Sequence, residues 1–110
     1  MRQYVLDEIA SIDLTRIREY LNDKAKPAGL EGLWWVEMPP ELRTEEQAEH
    51  AQCQPQRFAI ELGRTFLRFE FFIRSNRQLR CSCTCYATER QRAWIMAFAD
   101  RLVEDLQLRT

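Results

Sequence analysis

The sequence lacks several features that accompany membrane insertion or nucleic-acid binding. Its 110 residues contain no apolar run near the ~20 residues that a membrane span requires, and the first residues lack the apolar stretch of a signal peptide. The 16 basic side chains are balanced by 17 acidic ones, so the composition shows no electrostatic footprint for nucleic acid. We therefore expect a cytoplasmic protein that binds neither membrane nor nucleic acid.

Glycine and histidine are also scarce, with three glycines and one histidine in the chain. The sequence contains no phosphate-binding glycine loop, no nucleophile elbow and no zinc-protease helix. The length suits one domain, residues 1–110, with enough core to fold without a metal or disulfides. These absences favour a non-enzymatic protein-interaction or accessory module with no catalytic residue and no required cofactor, although they leave the activity itself open.

What the sequence does contain predicts an α+β fold. Asp13 can cap a first helix that ends at "KAKPAG", and "LWWVEM" at 33–38 reads as a strand. Thr44 with Gln47, and Thr88 with Gln91, have the spacing of a capping box. They predict a short second helix and a long C-terminal helix to about residue 107. The predicted element order is α-β-α-β-β-β-α, with helices packed mainly on one face of the sheet.

Three consecutive segments, "RFAIEL", "TFLRFEFFIR" and "QLRCSCTCYA", predict an antiparallel meander. A two-residue turn at Gly63-Arg64 would set Phe58 opposite Phe69, and a turn at 75–77 would set Phe69 opposite Cys83. That second turn would also pair Leu79 with Ile73 and Arg80 with Phe72. These registers place most apolar residues of the three strands on one face, which the C-terminal helix would cover, and leave charged and a few aromatic residues on the other.

Three of the four cysteines alternate in "LRCSCTCY", at Cys81, Cys83 and Cys85. In a reducing cytosol they are better interpreted as free thiols, metal ligands or core residues than as disulfides. The first interpretation is that all three are inward residues of the last meander strand, packed beneath Phe69 and Phe71 as small hydrophobic side chains.

A second interpretation is a zinc site formed by His50, Cys53, Cys81 and Cys83. His50 and Cys53 are three residues apart in "EHAQCQP", a spacing that puts them on one side of a helical turn. Three thiolates with one imidazole suit tetrahedral zinc, although the C-x-C half needs a bend to converge on one ion. A third interpretation makes Cys53 an exposed nucleophile with His50 as its base. No third, orienting residue accompanies that pair.

Aromatic residues suggest a candidate interaction surface. Trp34 and Trp35 point to opposite sides of their strand, so one packs inside and the other faces outward with the aromatic residues of the outer sheet face. Such a patch would serve a protein partner or a homo-oligomer, unless the first helix covers it. The candidate residues are Trp34, Trp35, Phe66, Phe72 and Tyr86.

Overall fold

The computed structural model describes residues 1–75 and 81–110, and within them the chain forms one antiparallel seven-stranded sheet with three α-helices. The α+β class is confirmed, as is a C-terminal helix that follows the strands. The strands are β1 (Gln3–Leu6), β2 (Lys26–Pro27), β3 (Leu33–Glu37), β4 (Gln56–Leu62), β5 (Leu67–Glu70), β6 (Phe72–Ser75) and β7 (Cys85–Tyr86), and the helices are α1 (Leu14–Lys24), α2 (Glu45–Glu49) and α3 (Glu89–Leu106).

Both predicted capping boxes are present, and they explain where α2 and α3 begin. The hydroxyl oxygens of Thr44 and Thr88 each accept the backbone N–H three residues on, at 3.2 Å. The side-chain oxygens of Gln47 and Gln91 accept the threonine N–H groups in return, at 3.0 and 3.1 Å. Each box satisfies backbone donors that a helix start leaves unpaired. Asp13 precedes α1 but makes no side-chain capping bond.

The hydrophobic core lies between one face of the sheet and the helices α1 and α3. The main strand order is β1-β5-β4-β3-β2, and β6 pairs with β4 and β7. Phe58 and Phe69 project from neighbouring strands against Phe98 of α3, with ring centroids 6.2 and 6.4 Å from it. Helix α1 joins the same layer through the buried side chains of Ile17 and Leu21, and its Asn22 accepts the indole N–H of Trp34 at 2.9 Å. The prediction that helices pack mainly on one face of the sheet is confirmed for α1 and α3.

The turn between β4 and β5 differs from the predicted one. Leu62 pairs with Leu67, so four residues, Gly63 to Phe66, form the loop instead of two. The Phe66 ring lies over Gly63, where a Cβ atom would meet it at 2.1 Å. A larger residue at position 63 would therefore have to displace the Phe66 ring. Because the register moved by two residues, the paired residues of β4 and β5 kept their predicted faces.

The predicted third meander strand is wrong over Cys81–Thr84. Phe69 lies opposite Tyr4 and Ile60, not opposite Cys83. Strand β1 occupies the edge of β5 that the cysteine segment was expected to fill, so the segment pairs instead with β6, placing Ile73 opposite Cys85. The rest of the predicted turn at 75–77 and the pairs of Leu79 and Arg80 lie outside the described residues.

The loop before β3 offers a matched test of backbone strain. Gly32 has φ +78°, and a Cβ there would lie 2.9 Å from the carbonyl oxygen of Leu62. Gly29 has φ +85°, but a Cβ there would meet no described atom within 4 Å. We expect Gly32→Ala to lower the free energy of unfolding by about 3 kcal/mol, and Gly29→Ala by only about 1 kcal/mol, because Gly29 adds strain without a clash.

Urea denaturation of the two variants and the parent chain measures both losses. Equal losses for the two variants would show that the contact with Leu62 contributes nothing.

Candidate metal centre

Two ligand-type residues are brought together by a short turn that follows α2. Helix α2 ends at Glu49, and His50 leaves helical geometry with φ −95° and ψ 69°. A 3₁₀ turn over Ala51–Cys53 follows, in which the Cys53 N–H donates to the His50 carbonyl at 3.0 Å. Side chains three residues apart eclipse each other in such a turn. The Cys53 sulfur consequently lies 4.0 Å from His50 Nδ1.

A second turn brings together two cysteines of the C-x-C pair. The Thr84 N–H donates to the Cys81 carbonyl at 2.9 Å, which closes a tight turn over residues 81–84. The sulfur atoms of Cys81 and Cys83 are 3.1 Å apart. In an extended strand, residues two apart are separated by about 6.6 Å. The bend that the C-x-C spacing needs is therefore present, at the point where a straight strand was predicted.

The two turns face each other. His50 Nδ1 lies 2.8 Å from the Cys81 sulfur, and the sulfurs of Cys53 and Cys81 are 3.5 Å apart. The ligand atoms of His50, Cys53, Cys81 and Cys83, here called the ligand cluster, all lie within 4.8 Å of one another. The four candidates named from the sequence thus form one group that could hold a metal ion.

The dimensions of the ligand cluster suit a small tetrahedral ion. Zinc–sulfur bonds of about 2.3 Å and zinc–nitrogen bonds of about 2.0 Å imply S–S separations of about 3.8 Å and S–N separations of about 3.5 Å. The sulfur of Cys81 is 3.5 and 3.1 Å from the other two sulfurs, and His50 Nδ1 is 2.8 and 4.0 Å from its two nearest sulfurs. These four separations therefore lie within about 1 Å of the values expected around zinc.

Burial divides the cluster into an inner and an outer half. Cys53 and Cys83 are buried, whereas His50 and Cys81 are half-exposed. The backbone N–H of Cys83, followed by its thiol, lowers the pKa of Cys81 to about 7. Burial, followed by the hydrogen bond with Cys81, raises the pKa of Cys83 to about 12. A bound cation would favour the thiolate of both, since metal ligation requires deprotonated sulfur.

Buried polar side chains hold the backbone of the cluster in place. Gln47 is fully buried, and its Nε2 donates to the Cys83 carbonyl at 3.4 Å. Its Oε1 accepts from Gln91 Nε2 at 2.9 Å, and its carbonyl accepts from Gln56 Nε2 at 3.1 Å. Ser75 Oγ donates to the Cys53 carbonyl at 3.1 Å. Supporting contacts of this kind orient metal ligands.

This support is not evident from the sequence. The spacing of Gln47 and Gln91 indicates only capping boxes, although both side chains also bond across the molecule. Both capping boxes have glutamine, and not glutamate, at the third helical position. Burying a neutral amide costs less free energy than burying a carboxylate, so this choice could have indicated that the two side chains are buried.

Cys85 does not join the cluster, although it continues the alternating pattern. It lies in β7 opposite Ile73, and its sulfur contacts the Cys83 carbonyl at 3.8 Å. Burial, followed by the charge of Glu46, raises the pKa of Cys85. Cys81 and Cys85 are only half-buried. The prediction that all three alternating cysteines pack as one core face is therefore wrong.

The nucleophile interpretation also needs correction. Cys53, which was expected to be the exposed thiol, is fully buried. The sulfur nearest to His50 Nδ1 belongs to Cys81, at 2.8 Å. The arrangement therefore does not present Cys53 to a substrate.

Of the five candidate residues for an interaction surface, Trp34 is buried and does not belong to it. Trp34 is 4% exposed and packs in the core, whereas Trp35 lies on the outer face with the Arg57 guanidinium 4.0 Å above its ring. Phe72 and Tyr86 pack edge to face on that side, 5.1 Å between centroids. Phe66 lies in the β4–β5 loop under Arg68. The expectation that α1 covers this face is wrong, because α1 packs in the core layer on the opposite face.

No family model, curated protein or solved structure matches this chain. No helix of the described segments has the length and apolar character to cross a membrane.

The contribution of Gln47 to stability can be compared with that of Gln52, an exposed glutamine nearby in sequence. We expect Gln47→Ala to lower the free energy of unfolding by about 2–4 kcal/mol, because it removes the side-chain hydrogen bonds with Thr44, Cys83 and Gln91 and leaves a cavity. Gln52→Ala, at an exposed position of the 3₁₀ turn, should stay within about 0.5 kcal/mol of the parent. Urea denaturation measures both values, and similar small losses would contradict the supporting role of Gln47.

Proposed function

We propose that this chain is a zinc-binding domain whose ion is held by His50, Cys53, Cys81 and Cys83. The observation that carries the proposal is the convergence of these four ligand atoms within 4.8 Å. Cys53 and Cys81 are 28 residues apart in sequence, so their convergence follows from the fold and not from local spacing.

The chemistry of the ligand set favours zinc among common metal ions. Soft thiolates select zinc, copper(I) or iron–sulfur clusters, and imidazole also suits zinc. Four protein ligands would complete a tetrahedral shell and leave no position for a substrate or a reactive water. The set therefore supports a structural role for the ion.

The ion would join two segments that secondary structure alone secures weakly. The first is the 3₁₀ turn after α2, and the second is the Cys81–Thr84 turn before the two-residue strand β7. Among the described residues, Ser75 already links these segments, because its Oγ donates to the Cys53 carbonyl at 3.1 Å and its N–H donates to Thr84 Oγ1 at 3.2 Å. Metal binding adds its free energy to folding because the unfolded chain has no preformed site.

Metal analysis with a matched pair of cysteine variants tests the proposal. We expect protein purified without added zinc to carry about one zinc ion per chain, because four protein ligands fill the coordination shell. Cys83→Ser should remove this zinc, whereas Cys85→Ser should retain it, because Cys85 lies outside the cluster.

Replacement of zinc by cobalt(II) supplies an independent readout, since thiolate ligands give an intense charge-transfer band. Chelation should also lower the midpoint of urea denaturation for the parent and for Cys85→Ser. A folded parent chain that neither contains nor takes up zinc or cobalt would refute the proposed function.

Self-association through the outer sheet face is a second candidate function. On this side Arg68 pairs with Glu61 at 2.7 Å and Arg74 with Glu70 at 3.3 Å, so both charge signs alternate across the strands. A surface that carries both signs around aromatic rings can be complementary to itself about a two-fold axis. The occupant proposed for this face is therefore a second copy of the chain.

Light scattering coupled to sizing chromatography measures that association. We expect a mass of about twice the 13.2 kDa of one chain. Trp35→Ala should shift the protein toward the monomer by removing a ring from the face. The control Leu30→Ala removes an apolar side chain that is 70% exposed in the loop before β3, and it should leave the mass unchanged. A parent chain that stays monomeric at high concentration would contradict this candidate.

A further inference from the structure

We infer that the ligand cluster is also a redox switch, in which a hydroperoxide joins Cys53 and Cys81 in a disulfide that cannot hold the metal. The disulfide itself follows from the geometry of the two thiols. The exclusion of metal rests on the proposed function, because it needs a metal to exclude.

The sulfurs of Cys53 and Cys81 are already close to bonding distance. They lie 3.5 Å apart, and a disulfide bond of about 2.05 Å requires an approach of about 1.5 Å. The two residues come from different turns, and rotation of the half-exposed Cys81 side chain would supply this movement. Neither residue lies in a strand whose backbone hydrogen bonds would resist the adjustment.

Cys83 is a poorer partner for Cys81, even though its sulfur is nearer, at 3.1 Å. Both cysteines belong to one turn that the Thr84–Cys81 hydrogen bond closes. A bond between residues two apart would close a small ring inside that turn, and departures from normal disulfide geometry store several kcal/mol of strain. Cys53 has no such restriction, so it is the expected partner.

Burial sets the order of events. Cys81 is half-exposed and meets the oxidant first, whereas Cys53 is fully buried. The Cys81 sulfur attacks one peroxide oxygen, the O–O bond breaks, and a sulfenic acid forms while water or an alcohol departs. The Cys53 sulfur then attacks the Cys81 sulfur, and the S–O bond breaks to release water. The two thiols lose two electrons, and the peroxide gains them.

The disulfide and the metal exclude each other because they use the same sulfur atoms. Oxidation removes two of the four ligands, which leaves His50 and Cys83. Cys85 lies outside the group and does not replace them. In the other direction, a metal bound to Cys53 and Cys81 would occupy the sulfur electron pairs with which Cys81 attacks the peroxide and Cys53 attacks the sulfenic acid.

The test compares metal-free and zinc-loaded protein, each treated with hydrogen peroxide and then alkylated. Peptide mapping without reduction should recover a Cys53–Cys81 disulfide from the metal-free chain, with Cys83 and Cys85 alkylated. The zinc-loaded chain should form it more slowly. The oxidised protein should take up no zinc, and uptake should return to about one ion per chain after reduction with dithiothreitol.

Two variants sharpen the mapping. Cys85→Ser should form the same disulfide as the parent, whereas Cys53→Ser should not. In Cys53→Ser, a reagent that reacts with sulfenic acids should label Cys81. A Cys81–Cys83 disulfide, or oxidised protein that still binds zinc, would overturn the inference and leave the zinc proposal standing. Reduced protein that binds no zinc would overturn the zinc proposal and the exclusion together, and the mapping would still report whether the disulfide forms.

Discussion

The side-chain amide of Gln47 is the contact that ties the remote parts of this fold together. It completes the capping box at the start of α2, accepts a hydrogen bond from Gln91 at the start of α3, and donates to the Cys83 carbonyl. A fully buried amide that loses one of these partners costs about 1–3 kcal/mol. Because each bond fixes the orientation needed for the others, the starts of both helices and the position of Cys83 depend on one another.

Local chemistry explains why much of the fold could be predicted from the sequence. Capping boxes use residues three apart, and inward and outward faces follow from alternation, which a register error of two residues leaves intact at Leu62 and Leu67. The partner of the cysteine segment was not predictable in this way. It depends on β1, a strand from the other end of the chain that takes the free edge of β5.

In the candidate site, too, the local features could be predicted from the sequence and the long-range ones could not. The spacing of His50 and Cys53 within one 3₁₀ turn is local, and so is the spacing of Cys81 and Cys83. Sequence could therefore name all four residues. It could not show that Cys81–Thr84 bends, because alternation of cysteines is equally typical of a strand. The meeting of the two turns is a long-range result of the sheet and of the buried glutamines, and neither leaves a pattern in the spacing of the ligands.

The position of the ligand cluster decides what it can do. The aromatic core is built from Phe58 against Trp94 and Phe98, at centroid distances of 5.2 and 6.2 Å. The cluster is joined to this core through polar contacts, chiefly Gln47 to Gln91 at 2.9 Å, and half of it remains open to solvent. Interior packing resists small changes in side-chain position, whereas hydrogen-bonded turns at an edge can adjust. A centre placed there can gain a metal ion or form a disulfide while the aromatic layer beneath α3 keeps its packing.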